Sequence, residues 1–462
     1  MSDELADLPA VELQGLFANG DARPTEALDA VLQRAADWQP RIAPFTQLLE
    51  AQARASASES DARYAHGTPL GPLDGVPVTV KENIATAGDP YRLGTAATPP
   101  AVSEADAPAA ARLKEAGAIL FAKTTMPDFG MLSSGVSSLP RPTTRNPWNP
   151  DWNPGGSSAG AGAAAAAGIG SIHVGTDIGG SIRLPATWCG VAGLKPSFGR
   201  VPVVPPYYAR CAGPIARTVG DLALAMSAIS RPDERDHMSL PPADLPWTTL
   251  KPADPTGLKI GVCVDAGTRL SPAPEIIAAV DDAARTLTAA NAVVRSTGPL
   301  IDDELLDGLD RFWRMRSHLD MQALGARQKA QALPYIQKWV APAEHYTAEQ
   351  VFTGFSAMDE ISVAAGRALE GLDFLVSPVA PIATYDADAA GPIGPDRALD
   401  HIGFTVPFSM SGHPAISIPW SMSPHGRPIG IQLVGRRHRD LDVLALALTC
   451  EQLRPAQPPW PN

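Results

Sequence analysis

The sequence predicts an α/β protein, because helix-like and strand-like segments alternate along its 462 residues. Short β-branched or apolar runs indicate strands, whereas apolar residues spaced three and four positions apart indicate helices. A helix followed closely by a strand recurs in both halves of the chain, and this order is typical of helices packed against a sheet.

The N-terminal region, residues 3–65, has helical periodicity. Leu13, Leu16 and Phe17 follow the three-and-four spacing, and Thr25 or Pro24 is suited to open a further helix over 26–38. We therefore expect helices throughout this region.

The first predicted strand carries a lysine at its end. Valines alternate over 76–80, directly after the glycine-rich turn signal at 71–75, and Lys81 follows them. Residues 107–116 then predict a helix, and the apolar run 118–122 predicts a buried strand.

The rest of the chain repeats this alternation after a loop rich in Ser, Pro, Asn and Gly at 133–156. We expect helices at 158–168, 274–290, 441–453 and over most of 303–369, and strands at 172–175, 258–264, 292–295, 374–376, 415–418 and 428–434. Two proline-rich stretches, 231–255 and 380–395, are interpreted as surface excursions.

Composition limits the classes of partner. The formal net charge is −12, which argues against nucleic acid as a ligand. The four cysteines form no CxxC pair, so we expect no structural metal, and their scatter is typical of a reducing, cytoplasmic protein. We also expect no signal peptide, no membrane span and no cofactor.

Three motifs carry candidate chemistry. Lys81 can act as a base if burial lowers its pKa. The cluster 155–160 offers Ser157, and the cluster 175–185 offers Ser181 preceded by small residues whose N–H groups can hold an oxyanion. A serine nucleophile, a relay hydroxyl and an amine base make up an acyl-transfer site without histidine.

The serine clusters have other interpretations. Gly156–Gly160 matches G-x-S-x-G, which would make Ser158 the nucleophile of an α/β-hydrolase-type esterase, but prolines precede it where that motif needs a strand. The Walker pattern of a nucleotide-binding loop is absent. Asp177 and Arg183 flank the Gly-Gly-Ser turn of the second cluster and are interpreted as a buried pair or as hydrogen-bonding struts; the alternative is that they bind a charged substrate.

The chain resembles the amidase signature family of Ser–cis-Ser–Lys hydrolases. The resemblance rests on motifs at 75–83, 117–130, 146–199, 213–221, 412–419 and 428–435, and on the 24-residue spacing of the two serines. It departs from the family pattern at Ala159, Thr125 and Ser409.

The resemblance implies a role for each motif residue. Ser181 would be the nucleophile, Ser157 the relay serine after a cis peptide bond, and Lys81 the base. The other implied residues are Ile178, Gly179 and Gly180 in the oxyanion hole, and Gly156, Ser158, Thr176, Asp177 and Arg183 in support of the site.

The resemblance also implies a single α/β/α domain around a large mixed, twisted sheet. Within residues 1–462 we expect a helical segment at 1–70, the catalytic core at 71–230, a variable, largely helical substrate-side region at 231–400, and closing strands and a helix at 401–462.

The expected substrate is a small amide, aryl amide or carbamate with an apolar or aryl group. The pocket candidates are Met131, Tyr207, Tyr208 and Trp313, together with other aromatic residues of the helical region such as Tyr335, Trp339 and Phe352. The alternatives are a noncatalytic scaffold and the glutaminase component of an amidotransferase. We expect a monomer or a homodimer.

Overall fold

The computed structural model describes residues 2–461, and residues 1 and 462 lie outside it. Its strands are β1 Phe45–Leu48, β2 Pro77–Lys81, β3 Pro90–Tyr91, β4 Ala101–Val102, β5 Ile119–Thr124, β6 Ile172–Asp177, β7 Ala192–Lys195, β8 Cys211–Ala216, β9 Lys259–Val262, β10 Val293–Ser296, β11 Phe374–Pro378, β12 Ala415–Met422 and β13 Pro428–Gly435.

The helices occur before, between and after these strands. They are α1 Ser2–Asp7, α2 Ala10–Asn19, α3 Pro24–Ile42, α4 Glu50–Ala65, α5 Pro108–Glu115, α6 Ala159–Ala166, α7 Arg183–Cys189, α8 Val219–Ile229, α9 Pro274–Ala289, α10 Asp303–Gln322, α11 Ala326–Lys329, α12 Pro334–Val340, α13 Ala348–Ala368, α14 Val406–Met410 and α15 Asp440–Leu453.

Eleven strands form one mixed sheet in the order β1-β5-β2-β6-β8-β7-β12-β13-β11-β9-β10. The pairs β5–β2, β2–β6, β11–β9 and β9–β10 are parallel, and the others are antiparallel. The predicted α/β fold with a large mixed sheet is therefore confirmed.

Helices cover both faces of the sheet. On one face, α5, α8, α9 and α15 pack over a core that includes Val78, Val80 and Ile172. On the other face, α3, α4 and α6 pack over Ile119 and Phe121. Because side chains alternate along a strand, the valines of β2 point into the first core and Lys81 points away from it.

One sequence expectation was wrong. The region 3–65 is not helical throughout, since residues 45–48 form β1, an edge strand paired with β5. The stretch 380–395 is mostly half-buried or exposed, as expected of a surface excursion, but Thr384 and Tyr385 anchor it by donating hydrogen bonds to the carbonyls of Asn153 and Ser133. This proline-rich stretch thus packs against the loop that precedes the first serine cluster.

Candidate active site

Lys81 is fully buried at the C-terminal end of β2. Its Nζ donates hydrogen bonds to Ser157 Oγ at 2.7 Å and to Thr176 Oγ1 at 3.0 Å. Burial lowers the pKa of Lys81 to about 7; the charge of Asp177 opposes this shift and that of Arg210 adds to it. An amine with this pKa is neutral in part of the population at physiological pH and can accept a proton.

Ser157 follows a glycine that packs closely against the backbone of another loop. The Gly156–Ser157 peptide bond is cis, the geometry implied by the family resemblance. A Cβ on Gly156 would stand 2.4 Å from the backbone nitrogen of Ser134, so only glycine fits there. Ser157 is buried. Its hydroxyl contacts the amine of Lys81, and the residue lines a cavity at the C-terminal ends of β2 and β6.

Ser181 lies in the turn between β6 and α7 and lines the same cavity as Ser157. It is partly exposed, and its hydroxyl makes no hydrogen bond within residues 2–461. The two loops are joined through the backbone, since the Ser158 N–H donates to the Ser181 carbonyl at 3.1 Å. The structure therefore brings Lys81 and Ser157 into contact and leaves the Ser181 hydroxyl free beside them.

The predicted oxyanion loop needs one correction. The Gly180 N–H already donates to Asp177 Oδ1 at 2.7 Å, so it is not available to a substrate oxygen. In the described part of the chain, the N–H groups of Ile178, Gly179 and Ser181 have no such partner. The free donors are thus those of Ile178, Gly179 and the nucleophile candidate itself.

Asp177 and Arg183 form the buried ion pair that the sequence predicted. Arg183 Nε and Nη2 lie 3.0 Å from the two carboxylate oxygens. Burial alone would raise the pKa of Asp177, but the charge and hydrogen bonds of Arg183, with the charge of Lys195 and the N–H of Ile182, together lower that pKa to about 2. The guanidinium also donates to Gln432 Oε1 and to Ser409 Oγ, a position where the chain departs from the family pattern.

Asp177→Asn is expected to destabilise the fold by about 3–5 kcal/mol, because it leaves the buried Arg183 without its counter-charge. Chemical denaturation of the variant and the wild type would measure this loss. Asp233→Asn is the matched control, since Asp233 pairs with Arg235 near the surface. A loss no larger than in the control would contradict a structural role for the pair.

Ser158 does not have the surroundings of a nucleophile. It is fully buried, it precedes α6 without a strand before it, and its hydroxyl bridges the Thr176 carbonyl and N–H at 3.3 Å. This geometry argues against the G-x-S-x-G interpretation. Thr176 in turn accepts hydrogen bonds from Lys81 and from Asn83 Nδ2. Ser158 and Thr176 therefore help to position the lysine.

The four named pocket candidates lie in different places. Met131 and Trp313 line the cavity that holds the two serines. Tyr207 lines an adjoining cavity. Tyr208 lines neither, since it packs against Phe198 and donates a hydrogen bond to the Met410 carbonyl.

Further residues complete the cavity. They are Asn83, Phe129, Ser133, Arg210, Arg316, Tyr335, Trp339, Leu399, His401 and Ile402, with Ser133 Oγ 2.7 Å from His401 Nε2. Asn83 lies two positions after Lys81 in the same motif, so it could have been predicted from the sequence as a site residue. Tyr335 and Trp339 were among the aromatic candidates of the helical region, whereas Phe352 does not line this cavity. The remaining residues come from distant segments, and no local pattern marks them. Within residues 2–461, no group of His, Cys, Asp and Glu is arranged to hold a metal.

Comparison with known proteins places these residues in a family. A family model described as Amidase matches residues 26–444, which is most of the chain. The chain belongs to the amidase family. Hydrolysis of an amide C–N bond is therefore the supported class of activity for this amidase.

Individual relatives span nearly the whole amidase. An acylamidase of Rhodococcus erythropolis is 30% identical and covers 97% of this chain and 96% of its own. One component of the glutamyl-tRNA(Gln) amidotransferase of a Synechococcus strain (CC9605) is 31% identical, with 94% of each chain covered.

Solved structures agree with the fold of this amidase. A bacterial aryl acylamidase of the amidase signature family superposes with a TM-score of 0.89 at 28% identity, over 97% of this chain and 96% of that one. A 6-aminohexanoate cyclic dimer hydrolase, solved with its substrate, gives 0.87 at 27% identity over 98% of each chain. In the described residues, no helix of this amidase is both long and apolar enough to cross a bilayer.

Proposed function

We propose that this amidase cleaves small amides, aryl amides or carbamates through an acyl-enzyme on Ser181, with Lys81 and Ser157 as the proton relay. One observation carries the proposal: a buried lysine with a pKa of about 7 donates to Ser157 at the edge of the cavity that Ser181 also lines. A buried amine poised near neutrality is suited to general base catalysis.

In the acylation step, Ser181 Oγ attacks the substrate carbonyl carbon. Its proton moves to Ser157 Oγ, whose own proton passes to the neutral Nζ of Lys81. When the tetrahedral intermediate collapses, the same chain runs in reverse and protonates the leaving nitrogen. The C–N bond then breaks, the free amine departs and Ser181 carries the acyl group as an ester.

In the deacylation step, a water molecule attacks that ester. The relay takes a proton from the water and returns one to Ser181, which releases the acid and restores the enzyme. In both steps the carbonyl oxygen gains negative charge, and the free N–H groups of Ile178, Gly179 and Ser181 are the donors proposed to hold it. Because Asp177 fixes the loop through Gly180 and Ile182, these donors need little reorganisation.

The lining favours an apolar or aryl substrate body. Five apolar side chains line the cavity: Phe129, Met131, Trp313, Trp339 and Ile402. An acylamidase and an aryl acylamidase among the relatives support the same substrate class. Amides and carbamates differ by one oxygen beside the carbonyl, so both belong to the proposal.

A hydrolysis screen tests the proposed function. We expect release of p-nitroaniline from short acyl p-nitroanilides, turnover of aryl carbamates, and some cleavage of the matching esters, because all three react through the same acyl-enzyme. Spectrophotometric rates at pH 8 measure this. Turnover of esters alone, with no amide or carbamate cleaved, would contradict the proposal.

The glutaminase role is the second candidate, because a relative of 31% identity bears the name of an amidotransferase component. Glutamine carries an ammonium group as well as a carboxylate, and the ammonium group needs an anionic partner in the cavity. Among the described residues, the only carboxylate lining the serine cavity is that of Asp177, which Arg183 neutralises. Ammonia release from glutamine faster than from any anilide or carbamate would favour this candidate instead.

A further inference from the structure

Two arginines line the serine cavity and the adjoining cavity without an ionic partner. Arg210 lies just before β8, and Arg316 lies on α10. Within residues 2–461, neither guanidinium forms an ion pair within 4 Å. In the part of the chain that the structure describes, the Arg210 guanidinium makes a single long hydrogen bond, 3.5 Å from Nη1 to the Pro205 carbonyl, and the buried Nε of Arg316 has no hydrogen-bond partner.

Tyr207 holds both guanidiniums in place. Cζ of Arg210 lies 5.1 Å from the centroid of the Tyr207 ring, and Cζ of Arg316 lies 4.9 Å from the same centroid. A cation over an aromatic face is attracted by the ring, so the tyrosine orients both side chains. The two positive charges are therefore fixed close together while their N–H donors stay largely unused.

Unpaired cations in this position are unusual, because partly buried charges are normally matched by a counter-charge. Burial and the neighbouring charge of Arg316 lower the pKa of Arg210, and the charge of Asp320 opposes this shift without reversing it. Among residues 2–461, two carboxylates line the two cavities, one in each. Asp177 is engaged by Arg183, and Asp320, one turn along α10 from Arg316, is exposed and makes no ion pair with either arginine. The missing partner is thus expected to enter from solvent.

We propose that Arg210 and Arg316 form a subsite for an anionic group of the substrate, a carboxylate in the first instance. Guanidinium groups bind carboxylates through paired N–H donors, and two of them side by side can saturate both oxygens. This inference rests on the proposed function and narrows its substrate class. The substrate is an amide or carbamate with an apolar or aryl body and an acidic group.

Matched substrate pairs test the subsite on either side of the scissile bond. On the acyl side, succinyl p-nitroanilide is compared with butyryl p-nitroanilide. On the amine side, N-acetyl-4-aminobenzoate is compared with N-acetyl-4-aminobenzamide. We expect kcat/KM for the acidic member to exceed that for the neutral member by about tenfold or more in at least one pair, an effect equal to one charge-assisted contact of about 1.4 kcal/mol.

Arg316→Gln should reduce the ratio of kcat/KM for the acidic member to that for the neutral member by about tenfold or more, mainly through KM. Arg316→Lys should reduce this ratio less because the charge remains. Arg311→Gln is the matched control. Arg311 is on the same helix and carries the same charge, but it lines neither cavity, so the ratio should not change. Equal rates within both pairs, or an equal loss in Arg311→Gln, would overturn the subsite.

A binding measurement separates this inference from the proposed function. Calorimetry with benzoate on the Ser181→Ala variant needs no hydrolysis, and we expect the dissociation constant to rise about tenfold or more when Arg316→Gln is added. Unaltered benzoate binding would contradict the proposed subsite even if anilides are cleaved. Conversely, a protein that cleaves no amide but binds benzoate through Arg316 would contradict the proposed function alone.

Discussion

Ser181→Ala is expected to abolish amide hydrolysis while leaving the protein folded. The variant removes the attacking oxygen, and loss of a nucleophile typically lowers kcat by about 10⁴-fold or more. The Ser181 hydroxyl is partly exposed and makes no hydrogen bond within residues 2–461, so its removal should not disturb the packing. Steady-state rates on an anilide substrate and a thermal melt measure the two parts of this prediction.

Covalent labelling provides the control for this variant. A fluorophosphonate probe should modify the wild type at Ser181 and fail to modify Ser181→Ala, as mass spectrometry of the intact protein and of its peptides would show. Labelling at Ser158 would instead support the esterase interpretation. Absence of labelling and of turnover in the wild type would favour a noncatalytic scaffold, and full turnover by Ser181→Ala would mean that another group attacks.

Lys81→Met should cause the second largest loss, because it removes the base while keeping the length of the side chain. General base catalysis contributes about 10²–10⁴-fold in rate, and we expect a loss in that range. The pH profile gives a sharper test. Below a pKa of about 7 the Lys81 amine is protonated and cannot accept a proton, so wild-type kcat/KM should fall tenfold per pH unit below 7 and level off above it.

The inflection near pH 7 should be missing in Lys81→Met. Lys123→Met is the matched control, because Lys123 is also buried, lies on the neighbouring strand β5, and has a pKa lowered by burial to about 8. It lines neither cavity, so its replacement should preserve both the rate and the inflection. If Lys81→Met keeps the wild-type profile, another group is the base.

Local sequence patterns predicted much of the fold. Alternating valines marked β2 and placed Lys81 at its end, and Pro24 marked the start of α3. The strands β7 and β8 escaped prediction because glycines and prolines interrupt them and their partners are distant in sequence. Their identity depends on sheet neighbours rather than on their own composition.

The site residues likewise fall into two groups, those that local motifs indicated and those that they did not. The motifs indicated Lys81, Ser157 and the turn around Ser181, because each lies in a short segment with its own chemical signature. The substrate wall was harder to predict, since Arg210 and Arg316 are 106 positions apart and meet only through Tyr207. Tyr208, which was expected in the pocket, turns toward Phe198 instead.

The amino-acid sequence by itself determined the α/β class, the family and the order of the chemical groups, because these follow from local periodicity and from contiguous motifs. Only the tertiary structure decided which N–H groups stay free and how far the pKa of Lys81 falls. It also decided which charges lack a partner. These properties depend on burial and on distances between segments remote in the chain, and no single segment contains that information.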